Sequence, residues 1–156
     1  MKLVFLYVGD KVQGYLAEGV SEYLSRISHY APVEEVFTKD AKSKGSRPEA
    51  RAEAEARAVE AVLKPTDDVI LLDEGGKSYT SEGFADFLQK RLNQGSKRLV
   101  FVVGGPYGFS GEMRRKYPVH LSLSAMTFSH HMVRLFLAEQ VYRAFTILRN
   151  EPYHNR

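Results

Sequence analysis

Short apolar runs alternate along this chain with longer segments in which apolar residues recur every three or four positions. Apolar runs rich in β-branched residues are typical of strands that are buried on both faces of a sheet. They predict five strands, at Leu3–Val8, Val33–Thr38, Val69–Leu72, Leu99–Val103 and His120–Leu123.

Helical spacing fills the intervals between these strands. The predicted helices run from Leu16 to Ile27, from Pro48 to Leu63, from Phe84 to Leu92, over Gly111–Lys116 and over His131–Leu148. Ser110 is expected to cap the fourth helix, and Gly95 to close the third. Strands that alternate with crossovers of this length predict an α/β domain with a mainly parallel sheet and helices on both faces.

The final helix is apolar on most of its circumference, in the stretch HMVRLFLAEQVYRAFTIL. A helix on the outside of a sheet normally keeps one polar face toward water. Apolar residues all round therefore favour a subunit interface on this helix, and a helix packed inside the monomer is the alternative.

Three predicted loops follow strands three, four and five, at the edge where open α/β sheets bind ligands. They read DEGG at 73–76, GGPYGFS at 104–110 and SLSAMTFS at 122–129. Gly104 and Gly105 would let a ligand reach main-chain groups, although glycine pairs also occur in simple tight turns. Because glycine pairs follow two strands at equivalent positions, we expect a ligand at this edge.

The chemistry of these loops narrows the class of ligand. Neither the phosphate loop GxxxxGK[ST] nor the dinucleotide motif GxGxxG is present, so neither a nucleoside triphosphate nor a dinucleotide is indicated. The third loop mixes small, hydroxyl-bearing and apolar side chains, which suit an uncharged aromatic base better than a phosphate.

Composition places the chain among soluble globular proteins. It has 156 residues, enough for one domain over 1–156, of which 44% are hydrophobic and 26% charged. The absence of cysteine excludes disulfides and thiolate chemistry. The N-terminal apolar run is broken by Gly9 and Asp10, and no segment is long enough to span a bilayer. We therefore expect a cytoplasmic protein without membrane contact.

The net charge of +3 is too small to indicate nucleic acid on its own. Basic residues cluster at Lys39–Arg47 and at Arg114–Lys116, where solvated surface explains either cluster. His130 and His131 are adjacent at a helix start and point in different directions, and no HExxH motif is present. A metal site is therefore not expected.

Three separated blocks resemble the RlmH family of SPOUT-class methyltransferases, which are bacterial 23S ribosomal RNA (pseudouridine N3)-methyltransferases. The blocks are GGP at 104–106, LSLSAMTFSHHMVRLFLAEQVYRAFTI at 121–147 and PYH at 152–154. The likeness extends from the opening KLVFLYVG to the end of the chain. It implies a C-terminal trefoil knot (the α/β knot of the SPOUT fold), S-adenosylmethionine as cofactor, and a homodimer with the final helix in its interface. The implied substrate is a pseudouridine in a 23S rRNA stem-loop at the ribosomal subunit interface, within assembled ribosomes.

The resemblance also assigns roles to individual positions. The implied cofactor contacts are Leu72, Gly105, Ser124, Ala125, Met126, Thr127, Phe128 and Ser129. The implied catalytic residues are Tyr153, His154 and Arg156, one of which would accept the proton of the pseudouridine nitrogen or stabilise its anion.

Some positions depart from the family pattern or carry more than one interpretation. Asn155 separates PYH from the last arginine, where the family has a basic residue directly. Arg134 and Arg143 are expected to contact either RNA or carboxylates across the dimer. With RNA as substrate, Lys42, Lys44 and Arg47 would contribute to RNA affinity.

Two other functions remain as alternatives. The first is a ribosome-associated RNA-binding protein that has the fold and no activity. The second is an α/β enzyme that uses a different adenine-containing cofactor. Binding of S-adenosylmethionine, or of NAD or ATP in its place, separates these possibilities.

Overall fold

The computed structural model describes residues 1–40 and 47–155, and in this range all strands belong to a single sheet. The strands are β1 (Lys2–Val8), β2 (Val33–Thr38), β3 (Asp68–Ser78), β4 (Arg98–Val103) and β5 (His120–Ser122). They pair in parallel in the order β2-β1-β4-β3-β5. The predicted α/β class and parallel sheet are confirmed.

Helices cover both faces of this sheet. They are α1 (Gly14–Ile27), α2 (Pro48–Val62), α3 (Ser81–Asn93), α4 (Gly111–Lys116) and α5 (His130–Leu148). The hydroxyl of Ser110 caps α4 as predicted, accepting the Met113 N–H at 3.1 Å. Gly95 follows α3 with φ of +79°, a conformation that suits glycine at a helix end.

The alternation of side chains along β1 shows how the two apolar layers form. Leu3, Phe5 and Tyr7 face the layer shared with α1, α3 and α5. Val4 and Leu6 face the layer shared with α2 and α4. Because both faces of the sheet are buried, its strands are almost continuously apolar, which is why they are recognisable in the sequence.

β3 continues past Leu72 through both glycines to Ser78, so the predicted strand end at Leu72 is wrong. The strand pairs with β5 on both sides of a bulge. A Cβ on Gly76 would stand 2.6 Å from the main-chain carbon of His120, closer than real Cβ atoms come. The glycine at 76 therefore permits the close approach of two strands and does not form a ligand loop.

α5 lies between α1 and α3, with the sheet beneath it. Leu137, Ala138 and Val141 are fully buried in this position, whereas Phe136 is 36% exposed. The apolar circumference of α5 thus has an explanation within the monomer, which is the alternative that the sequence left open. The subunit interface stays a prediction.

Three residues that the sequence singles out, Lys42, Lys44 and Arg156, lie outside the described residues. Along the described ranges, no helix combines the length and the apolar character needed to cross a bilayer.

Candidate functional site

A cleft of about 350 Å³ opens where β3, β4 and β5 reach the carboxyl edge of the sheet. Six of the eight positions that the sequence predicts as cofactor contacts line it: Leu72, Gly105, Ser124, Met126, Thr127 and Phe128. Ala125 belongs to the same loop without lining the cleft, and Ser129 begins the next helix. The structure thus gathers residues from three distant parts of the chain at one place.

One side of the cleft is apolar. Leu72 of β3, Val103 at the end of β4 and Leu121 of β5 contribute to it. Phe128 adds an aromatic ring, which packs against Phe136 with centroids 4.9 Å apart. An apolar wall with an aromatic member is typical of sites that hold a flat heterocycle.

Hydroxyl groups hold the loop after β5 in shape. The Ser124 hydroxyl accepts the Met126 N–H at 2.9 Å, and Thr127 donates to Glu74 at 3.1 Å. The Ser129 hydroxyl caps α5 by accepting the Met132 N–H at 3.2 Å. The hydroxyls at these three positions are therefore engaged within the chain, while the Met126 side chain is 75% exposed.

The chain's own side chains occupy the space where Gly104 and Gly105 lack a Cβ. A Cβ on Gly104 would meet the ring of Phe109 at 3.1 Å. A Cβ on Gly105 would meet a carboxylate oxygen of Glu55 at 3.1 Å and a methyl group of Val8 at 3.4 Å, and neither residue lines the cleft. Internal packing explains these glycines, so what indicates a ligand is the cleft and not the glycine pair.

The other side of the cleft carries charge. The sequence places Asp73 and Glu74 at this edge within DEGG, whereas Arg114 is expected on solvated surface. Asp73 follows Leu72 on β3 and pairs with Arg114 of α4. Glu74 also lines the cleft. The signal in the sequence was an Asp-Glu pair directly after a buried strand, at the edge where ligands bind.

His130 lines the cleft at the start of α5. Burial lowers the pKa of His130 below its usual value, and the neighbouring His131 and Arg134 lower it further. His130 is therefore uncharged at neutral pH. Among the described residues that line the cleft, the carboxylates of Asp73 and Glu74 then face the guanidinium of Arg114, an excess of one negative charge.

The predicted catalytic tail lies away from this cleft, and no residue of the described segment 149–155 lines it. Tyr153 donates its hydroxyl proton to Glu139 at 3.1 Å and lies 3.2 Å from the Tyr23 hydroxyl. Burial, with the Tyr23 hydrogen bond and the Glu139 charge, raises the pKa of Tyr153 above its usual value. Tyr153 therefore keeps its proton at neutral pH.

The contacts of His154 determine its tautomer. Its Nδ1 lies 3.1 Å from a guanidinium nitrogen of Arg143, and its Nε2 lies 3.0 Å from a carboxylate oxygen of Glu82. Arginine only donates hydrogen bonds, so Nδ1 accepts and Nε2 carries the proton. In this arrangement the one lone pair that accepts a proton faces a cation.

Arg134 has a structural position that the sequence did not indicate. It is 1% exposed and donates to the carbonyl oxygens of Asp10 at 2.7 Å and of Val8 at 3.2 Å. Its guanidinium lies 4.6 Å from the centroid of the Tyr7 ring. An RNA contact by Arg134 is therefore excluded, and the residue ties α5 to the end of β1.

Within residues 1–40 and 47–155, no group of three or more histidine, aspartate or glutamate side chains is placed to hold a metal ion.

The chain is similar to known proteins over nearly its whole length. The family model described as "Predicted SPOUT methyltransferase" matches residues 1–154. Ribosomal RNA large subunit methyltransferase H of Porphyromonas gingivalis is 47% identical over 157 residues, which cover 99% of each chain. The protein of the same name from Parabacteroides distasonis is 46% identical, again over 99% of each chain.

A solved structure of a Legionella pneumophila protein, described as a methyltransferase in complex with S-adenosylmethionine, is a more distant match. The likeness has a TM-score of 0.49 and 12% identity, and covers 93% of this chain and 66% of that one. A TM-score of this size adds nothing to the family assignment. The family model and the near-full-length relatives decide it: this chain belongs to the SPOUT methyltransferase family, together with the ribosomal RNA large subunit methyltransferase H proteins.

Proposed function

We propose that this chain transfers a methyl group from S-adenosylmethionine to N3 of a pseudouridine in 23S rRNA. Membership of a methyltransferase family supports the reaction, and relatives named as large subunit rRNA methyltransferases support the substrate. The observation that carries the proposal is the cleft at the carboxyl edge of β3, β4 and β5. The substrate would be a stem-loop at the ribosomal subunit interface, within assembled cytoplasmic ribosomes.

The residues of the cleft fit this cofactor. The apolar wall of Leu72, Leu121 and Phe128 suits an adenine ring, and the Gly105 main chain and the loop 124–128 line the same space. The excess of negative charge among the described lining residues suits a ligand that carries a sulfonium. When bound, S-adenosylmethionine supplies an already activated methyl group, so the protein mainly has to align donor and acceptor. Orientation of this kind contributes on the order of 7–11 kcal/mol to a reaction.

The acceptor nitrogen carries a proton in neutral pseudouridine, and a group of the protein must accept that proton or stabilise the anion. Tyr153, His154 and Arg156 are our candidates. Tyr153 keeps its own proton, which suits a hydrogen-bond donor. His154 acts as the base once its Nδ1 is released from Arg143, since that contact occupies the accepting lone pair.

A homodimer would bring the tail of one protomer to the cleft of its partner. In a single chain the described tail and the cleft are separate, which supports this arrangement. Large apolar side chains also remain exposed around α1 and α5: Tyr15 and Met126 are each 75% exposed. The family likeness further implies a trefoil knot in the C-terminal part of the chain, which stays a prediction.

Methyl transfer to ribosomes tests the proposed function directly. Ribosomes from cells that lack the enzyme are incubated with the purified protein and labelled S-adenosylmethionine, and the labelled nucleotide is mapped. We expect one labelled pseudouridine in 23S rRNA. Label at another nucleotide would refute the substrate assignment, and absence of label would refute the reaction.

The same assay tests the shared site. A variant altered in the cleft, Leu72→Arg, and a variant altered in the tail, His154→Ala, should each be inactive alone. Mixed dimers of the two contain one intact composite site and should recover part of the activity. Failure of every mixture, with dimers shown to exchange, would contradict a site shared between protomers.

A further inference from the structure

Two charged side chains that the proposed methyl transfer does not yet use meet at the edge of the cleft. Asp73 of β3 and Arg114 of α4 form an ion pair, and both line the cleft. The Asp73 side chain is 10% exposed and that of Arg114 is 41% exposed. The largely buried carboxylate of Asp73 thus lies beside the partly solvent-exposed guanidinium of Arg114.

Both groups are held in place by the main chain around them. Asp73 accepts the Gly75 N–H at 3.1 Å through the oxygen that does not face Arg114. Arg114 donates from Nε to the Phe109 carbonyl oxygen at 3.3 Å. Its Nη2 makes no hydrogen bond within the described residues, so a donor remains for a ligand.

We propose that the Arg114–Asp73 pair is the subsite for the amino-acid end of S-adenosylmethionine. This end of the cofactor carries a carboxylate and an ammonium group on neighbouring atoms, so its recognition requires one positive and one negative partner close together. Arg114 takes the carboxylate and Asp73 takes the ammonium. The inference rests on the proposed function, because it assigns a role within the same cleft.

The charges of the cleft also disfavour other adenine cofactors. A phosphate chain carries several negative charges and requires several cations or main-chain donors. Among the described residues of the lining, one guanidinium stands beside Asp73 and Glu74, whose charges repel phosphate. A zwitterion attached to a sulfonium matches this arrangement, and a nucleotide does not.

The apolar and charged parts of the cleft share β3, where Leu72 and Asp73 are neighbours, but otherwise come from different elements. The rest of the apolar wall is built by Val103, Leu121, Phe128 and Val133 of α5. The charged pair joins the β3 bulge to α4, which covers the opposite face of the sheet. Adenine and the amino-acid end therefore have separate partners, and each can be tested without the other.

Two thioethers, whose sulfur lacks the sulfonium charge, isolate the amino-acid end. S-adenosylhomocysteine carries it, whereas methylthioadenosine has the same adenosine and sulfur without it. Calorimetry of both ligands with the full-length protein and with Arg114→Gln measures the contribution of the pair. We expect Arg114→Gln to weaken the binding of S-adenosylhomocysteine about 10- to 100-fold, as for loss of a charged hydrogen bond. The affinity of this variant for methylthioadenosine should stay within about twofold of the wild-type value.

Arg115→Gln is the matched control, because it removes the same charge from the next residue of α4, which does not line the cleft. It should leave both affinities unchanged. Asp73→Asn should reproduce the selective loss seen with Arg114→Gln. Unchanged methylthioadenosine binding by these variants shows that the cleft itself is intact.

Other outcomes would overturn the inference in distinguishable ways. If Arg114→Gln lowers the affinity for both ligands equally, the pair only maintains the shape of the cleft. If it leaves both ligand affinities unchanged but lowers the affinity for RNA, Arg114 binds RNA. If the wild-type protein binds neither thioether nor S-adenosylmethionine, the proposed function fails together with this inference.

Discussion

Gly105 stands between the cleft on one side and the buried carboxylate of Glu55 on the other. Its missing Cβ would lie 3.1 and 3.3 Å from the two carboxylate oxygens, and Glu55 is 3% exposed. The sequence suggests that a side chain at 105 would enter the ligand space. The structure directs that side chain into the layer beneath the loop, so its effect on a ligand is indirect.

A Gly105→Val substitution is expected to destabilise the protein by about 1–3 kcal/mol, because it overpacks the contact with Glu55 and Val8. Urea denaturation measures this change in the free energy of unfolding. In a Glu55→Ala background, which removes the carboxylate, Gly105→Val should lower the free energy of unfolding clearly less. An equal decrease in both backgrounds would mean that the new side chain does not contact Glu55.

At the residue scale, the sequence predicts the walls of the cleft better than its charges. Leu72, Gly105 and the loop 124–128 could be predicted because the family likeness assigns them position by position. The Arg114–Asp73 pair could not be predicted, because 41 positions separate its members and only the packing of α4 against the sheet brings them together. Arg134 was missed for a related reason, since a lone arginine in a helix does not reveal its burial.

At the scale of the elements, periodicity predicts most of the fold. Strands buried on both faces are continuously apolar, so β1 and β4 stand out from the sequence. The extension of β3 through DEGGKS is not recognisable in the sequence, because its residues are polar or lack side chains. Its strand geometry is decided by pairing with β5, a tertiary contact that local sequence does not encode.

Gly75 and Gly76 offer a matched test of that pairing. Gly76→Ala should destabilise the protein by about 1–3 kcal/mol, because the new methyl group collides with the His120 main chain. Gly75→Ala should change the free energy of unfolding by less than about 0.5 kcal/mol, since its nearest neighbour would be Asp73 at 3.8 Å. Equal effects in urea denaturation would contradict the close approach of β3 and β5.

At the scale of the whole molecule, one chain contains a complete cleft and a separate tail. The sheet positions the residues of β3, β4 and β5 that form the cleft. α5 connects the cleft to the tail, from His130 at the cleft to Arg143 beside His154. The family likeness of the sequence predicts both the cofactor contacts of the cleft and the catalytic residues of the tail. The dimer, the knot and the roles of the tail residues stay predictions.

The most direct measurement of the central claim is a crystal structure of the full-length protein with S-adenosylmethionine at saturating concentration. We predict density for the adenine ring between Leu72 and Phe128, next to the Gly105 main chain, with the amino-acid end at Arg114 and Asp73. An empty cleft, or the cofactor bound at another part of the protein, would contradict the account.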